Sequence, residues 1–204
     1  MNSGSNFLEF VRLVVAGDLE TVSKLIAADR ALATTASHLG ASRQNAEEFF
    51  FPEIRHYLYA GDTALHMAAA AFRRPMAMLL IEHGADVGAK NRRGQQPLHY
   101  AADANRWEPD AQAEMIECLL SAGADANALD KSGVAPLHRA VRTRSADAVR
   151  ALLDGGADRV APNKSGSTPL HLARLTTGRS GSGSELARRQ QAIIIKLLGK
   201  NDRD

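Results

Sequence analysis

Pro-Leu-His occurs at Pro97-Leu98-His99, Pro136-Leu137-His138 and Pro169-Leu170-His171, and Thr63-Ala64-Leu65-His66 is a near copy of it. The four histidines are spaced by 33, 39 and 33 residues. Behind the first three runs, in phase with them, come Gly84-Ala85-Asp86, Gly123-Ala124-Asp125 and Gly156-Ala157-Asp158. Two motifs recurring together at this period specify an array of like units, each too small to hide its own apolar face. Such units must stack, so the chain is confined to an elongated row rather than a closed globule.

The local chemistry of one unit repeats as well. Each opens on a glycine-containing turn, at Gly61, Asn91-Arg92-Arg93-Gly94, Asp130-Lys131-Ser132-Gly133 and Asn163-Lys164-Ser165-Gly166. There a polar residue and a glycine suit a tight reversal. Pro97, Pro136 and Pro169 fit the first helical position, where a missing N–H costs no bond. The leucine of each run and the alanines behind it (Ala68, Ala101, Ala140, Ala173) form a narrow stripe that lets first helices approach closely. The second helices carry bulkier pairs, Leu80–Ile81, Leu119–Leu120, Leu152–Leu153 and Leu197–Leu198, and burying each such side chain contributes about 1.5–3 kcal/mol.

The paired motifs resemble the ankyrin-repeat family. The resemblance implies an all-α solenoid of helix-turn-helix units with hairpin-like turns, in one continuous domain. Residues 1–32 fit a degenerate N-terminal capping unit without the Pro-Leu-His entrance. Phe7, Phe10, Val11 and Val14, then Val22, Leu25 and Ile26, fall at helical spacing, with Gly17 and Asp18 between them to end one helix and cap the next. Four repeats follow at about 59–91, 92–129, 130–161 and 162–200. Between cap and repeats lies a long insertion loop, 33–58, containing Phe49-Phe50-Phe51. Three successive aromatics cannot share one face. The segment is expected to fold back over the first repeats and bury most of these rings, the alternative being an exposed aromatic patch. The second repeat carries an insertion around Asn105-Arg106-Trp107-Glu108-Pro109-Asp110, and the fourth a Gly/Ser run from Thr176 to Ser184 that composition marks as mobile.

Lys plus Arg (25) nearly balances Asp plus Glu (23), so nothing in the net charge of +2 draws the chain to a polyanion, and nucleic acid is not the expected partner. One cysteine, Cys118, excludes an internal disulfide, suits a reducing compartment and reads as a small core residue. No basic cluster precedes an apolar stretch at the N-terminus, and no segment reaches the roughly 20 apolar residues of a membrane span. A soluble cytoplasmic protein is expected.

No catalytic constellation is evident. The Gly178–Ser184 region lacks the Gly-Lys-Ser/Thr of a phosphate-binding loop, and Gly181-Ser182-Gly183 lacks the strand–turn–helix setting of a nucleophile. Stacked units hold the repeat histidines roughly 10 Å apart, too far for one metal ion. No cofactor is expected. The family resemblance gives these histidines a structural role toward the adjoining turns. Gln96 and Ala135 replace the usual threonine and deprive two of them of a hydroxyl partner, at a cost of about 1 kcal/mol.

Function is expected in binding. The resemblance implies that a partner protein is held by turn tips and first helices on the concave side. Those slots hold Tyr59, Arg92, Arg93, Gln95, Asp103, Lys131, Val134, Arg142 and Lys164, together with Asp62 and Thr143. Trp107 lies beside them, either as a binding anchor or packed against Pro109. Arg73-Arg74, Arg92-Arg93, Arg139, Arg142 and Arg144 recur at similar repeat positions and suit an acidic peptide or phosphates. A second surface is suggested by Met78, Arg159, Ile193 and Ile194. Ile193-Ile194-Ile195 sweeps about 200° of a helix, wider than a core stripe. The alternative function is therefore a natural or engineered homo-oligomer joined through its second helices.

Overall fold

The computed structural model describes residues 3–103, 107–175 and 184–199. The Gly/Ser run at 176–183 and positions 104–106 of the second-repeat insertion lie outside the described residues.

The chain winds as helical pairs. The first is α1 (Ser3–Ala16) and α2 (Leu19–Ala28), followed by the single turn α3 (Ala31–Thr34). Four more pairs follow: α4 (Ala64–Ala70) with α5 (Arg74–Glu82), α6 (Pro97–Ala102) with α7 (Pro109–Ser121), α8 (Pro136–Thr143) with α9 (Ala146–Asp154), and α10 (Pro169–Arg174) with α11 (Glu185–Gly199). First helices pack along an inner row, α1–α4–α6–α8–α10, and second helices along an outer row, α5–α7–α9–α11. The fold is the helical solenoid that the spacing predicts.

Gly17 breaks the first pair at φ +87°, and the Asp18 carboxylate then accepts the Thr21 N–H at 3.0 Å. Pro97, Pro136 and Pro169 each open a first helix. The small inner stripe is sealed: Ala68, Ala101 and Ala140 have no exposed surface. On the outer row one member of each bulky pair is buried (Leu80, Leu119, Leu152, Leu198) and its neighbour is half-buried at the seam.

The turns form a ladder of their own. Asn91, Asp130 and Asn163 each use one side-chain oxygen to accept two backbone N–H groups, those of residues two and four further on. Successive turns are then tied by single backbone bonds: Arg92 N–H to Ala60 O (3.1 Å), Lys131 N–H to Arg93 O (2.9 Å) and Lys164 N–H to Ser132 O (3.3 Å). The approach is close enough to exclude a side chain at Gly61, where an added Cβ would lie 2.8 Å from the Arg92 nitrogen.

The histidines complete this lattice. Nε2–H of His66, His99 and His138 is given to the carbonyls of Gln95, Val134 and Ser167 in the next turn along, at 3.0, 3.0 and 3.2 Å. Nδ1 accepts the backbone N–H of Thr63, Gln96 and Ala135. Two of these histidines lack a hydroxyl partner, as Gln96 and Ala135 imply. His66 gains the Thr63 hydroxyl in addition, but its absence at Gln96 and Ala135 leaves no ring nitrogen unpaired.

The 33–58 segment is ordered rather than a plain loop. Its strands β1 (Phe50–Phe51) and β2 (His56–Tyr57) pair antiparallel, Phe50 opposite Tyr57 and Phe51 opposite His56. Phe49, Phe51, Ile54 and Leu58 are buried in the common core, while Phe50 stays half-buried against Tyr57. The segment is pinned to α1, where Arg12 donates to the Glu48 carbonyl and lies over the Phe51 ring. It also joins the first turn, where Ser37 N–H donates to Asp62 O and Gly61 N–H to Ser37 O. Most of the aromatic surface is thus absorbed by folding back.

Candidate functional site

The hairpin does more than fill space. Its turn and second strand lean over the inner row and, with the second-repeat turn and helix α8, line an open polar cavity of about 350 Å³. Arg55, His56, Tyr57 and Tyr59 line one wall, and Arg93, Gln95, Asp103, Arg139 and Arg142 line the other. Arg55 takes a left-handed backbone (φ +49°) to close the hairpin turn. This conformation is unusual for a side chain of its size and costs on the order of 1 kcal/mol.

Beneath the cavity a buried polar network sets the walls. Asp62, expected at the surface, has no exposed area. Its carboxylate accepts the Tyr59 N–H (2.6 Å), the Tyr100 hydroxyl (2.8 Å) and the Asn91 amide (2.9 Å). Burial, and then the Asp62 charge, push the Tyr100 phenol well above its ordinary value, so it stays a donor. The His56 ring packs on Tyr100 with centroids 4.6 Å apart. Burial holds its imidazole below the ordinary value, which keeps it neutral.

Arg139 on α8 is held between Asp103 and Asp130, at 2.8 and 3.1 Å, with side chains only 15%, 15% and 5% exposed. Its Nε is buried without a hydrogen-bond partner. Burial raises the Asp130 carboxyl, but the backbone N–H groups of Val134 and Ser132 and the Arg139 guanidinium outweigh it and leave it below the usual range. Over Tyr59 lie the guanidinium groups of Arg93 (4.5 Å from the ring centroid) and Arg92 (5.7 Å), a cation–π arrangement that orders both. Arg92 also donates to the Ala41 carbonyl, 3.2 Å away.

The sequence-predicted residues divide accordingly. Tyr59, Arg93, Asp103 and Arg142 come together in the cavity, and Arg92 sits at its rim. Gln95 is buried apart from the edge it presents there, because its backbone is taken by His66 and Asn91. Val134 is half-buried for the same kind of reason, its carbonyl serving His99. Thr143 is buried, bonded to backbone carbonyls of its own helix. Lys131 and Lys164 are exposed further along the turns, where Lys164 Nζ donates to the Lys131 carbonyl. Trp107 is 47% exposed and outside the cavity lining.

The expected row of arginines breaks up. Arg73 donates to the Val15 carbonyl, and Arg144, only 4% exposed, donates to Gln191 Oε1 and the Leu175 carbonyl. Both serve the fold. Arg55, His56 and Tyr57 were not anticipated, because only the hairpin brings them to the second and third repeats. A local hint is Pro52-Glu53, turn-forming residues between the aromatic runs at 49–51 and 57–59.

On the outer row Met78 and Ile193 are 45% and 40% exposed. Ile194, grouped with them from sequence, is instead turned into the core at 1%, and Arg159 is half-buried with a partner. Met78 lines a groove of about 520 Å³ between α5 and α7 with Ile81, Arg74, Glu82, Glu114 and Glu117. Cys118 lines it too, half-buried rather than fully in the core. Among the described residues no helix is long and apolar enough to cross a membrane, and no group of three or more His, Cys, Asp or Glu is placed to hold a metal ion.

A family model described as ankyrin repeats in three copies matches residues 10–127 and again residues 107–182. No curated protein matches the chain.

Proposed function

Because the chain belongs to the ankyrin-repeat family, whose repeats are generally protein–protein interaction domains, we propose that it is a non-enzymatic scaffold that grips a partner protein on its concave face. The observation that carries this reading is the cavity beside the turn tips. Arg55, Arg93 and Arg142 converge there with Tyr57 and Tyr59, and none of the three arginines is paired with a described carboxylate. Guanidinium groups over aromatic rings are the side chains most often found as binding anchors. Here they are preorganised by a rigid ladder of turns, which lowers the ordering cost of association. Arg92, Lys131 and Lys164 extend the same positive rim along the stack.

Replacing Arg92, Arg93 and Arg142 by Glu reverses the charge of the rim without touching the core. These substitutions should abolish capture of the partner from cell extract while leaving the helical signal intact. An unchanged set of captured proteins would refute the concave reading.

A second reading is self-association through the outer helices, favoured by the exposure of Met78 and Ile193. Light scattering decides it: a strict monomer at high micromolar concentration eliminates it. An oligomer released by Met78→Lys and Ile193→Glu would support it.

A further inference from the structure

The concave reading leaves open what part of a partner enters the cavity, and its charge balance is informative. Four guanidinium groups line it (Arg55, Arg93, Arg139, Arg142) against one carboxylate, Asp103, which Arg139 already occupies. Asp130 faces Arg139 from the adjoining turn and is engaged in the same way. His56 adds no charge in its neutral form, and Asp62 lies below the floor, bound to Tyr59, Asn91 and Tyr100. Three exposed arginines from three separate elements thus line one open cavity with no carboxylate partner among the described residues. Solvent weakens the repulsion among them, and a bound anion would relieve the rest.

We propose, resting on the concave reading, that the cavity receives a phosphorylated side chain of the partner. A single carboxylate would offset one of the three uncompensated charges. A phosphomonoester brings nearly two negative charges and three acceptor oxygens, and arginine forks match that geometry. The cavity's volume, about 350 Å³, admits a phosphorylated side chain with part of its backbone. The Tyr57 and Tyr59 rings offer an apolar wall to the residue beside it. Arg55 joins this lining from the hairpin turn, where its backbone takes φ +49°.

The test uses the full chain and fluorescence anisotropy. The probes are labelled degenerate peptide pools centred on phosphoserine, phosphothreonine or phosphotyrosine, with matching pools carrying Glu or the unmodified residue. At least one phosphorylated pool should bind tighter than both its counterparts by about tenfold or more, and Arg93→Ala or Arg142→Ala, each shown to keep its helical signal, should erase that preference. Equal affinity for phosphorylated and Glu pools overturns the proposal. So does a preference that survives both substitutions, binding to no pool, or displacement by a single-stranded oligonucleotide as effective as by phosphopeptide. Phosphatase treatment of cell extract separates the two levels. Capture that depends on Arg93 and Arg142 but ignores phosphatase sinks the phosphate inference and leaves the concave face standing. Capture indifferent to both sinks the two together.

Discussion

His99 makes the fold sensitive to mild acid, and the size of the effect can be worked out. The side chain has no exposed surface. Burial, and next the neighbouring Arg139 guanidinium, lower its imidazole from 6.5 to about 4. The geometry gives the same sign, because Nε2–H is committed to the Val134 carbonyl and Nδ1 receives the Gln96 N–H. Protonation would set one donor against another. In the unfolded chain the ring titrates near 6.5. Between about pH 6.5 and about pH 4 the unfolded state therefore binds a proton that the folded state refuses. Stability is highest above that window and falls as the pH is lowered through it.

At about pH 5 the loss from His99 alone is about 2 kcal/mol. His66 and His138, also lowered first by burial, add to it in the same direction. Urea unfolding followed by far-ultraviolet circular dichroism at about pH 7.5 and about pH 5 should show the midpoint falling by about 1 M for a slope of about 2 kcal/mol per molar. Histidine resonances in the folded protein provide the direct check. An unchanged midpoint, or a His99 ring that titrates near its ordinary value, would refute the reasoning.

Three further outcomes concern the packing of the stack. Arg139→Ala removes the guanidinium that Asp103 and Asp130 share and should cost about 3 kcal/mol, because the buried Asp130 carboxylate loses its charge partner. A urea midpoint scarcely moved by the single change would contradict this. Gly61→Ala forces a Cβ into the next turn at φ +87° and should cost about 2 kcal/mol or more in thermal unfolding, and a neutral result would mean the turns can separate freely. Ile194→Ala should cost about 2–4 kcal/mol and its neighbour Ile193→Ala less than about 0.5 kcal/mol, a contrast that tests which isoleucine faces the core.

The solenoid was legible because its causes are local and repeated. Proline at a helix start, glycine at a turn, and leucine and alanine at fixed offsets each act within a few residues, and recurrence multiplied the signal. Gly17 and Asp18 could be read for the same reason. The site was legible only in part. Arg93 and Arg142 were found because turn tips and first helices recur, but Arg55, His56 and Tyr57 reach the cavity through a hairpin whose position depends on Phe49, Phe51, Ile54 and Leu58 finding the shared core. No periodicity encodes that docking. Arg139 and Arg144 look alike in sequence, yet Arg139 lies within α8 and lines a cavity, while Arg144 takes a left-handed backbone (φ +58°) at the helix end and holds α11 through Gln191. Asp62 is buried rather than exposed because its carboxylate gathers the Tyr59, Asn91 and Tyr100 donors, two of them from the next repeat, which recurrence alone does not foretell.

Each histidine bond in the stack runs one way, from a helix start to the turn that follows it, and among the described residues His171 makes no such bond. His171 is exposed, and Leu170 beside it is only half-buried, whereas the opposite end is thickened by the hairpin and α1. Thermal motion should accordingly open the array from α10 and α11 inward, one unit at a time, in the manner of a row with nearest-neighbour coupling. The cavity lies toward the firm end, so fraying of α10 and α11 would leave its lining largely in place.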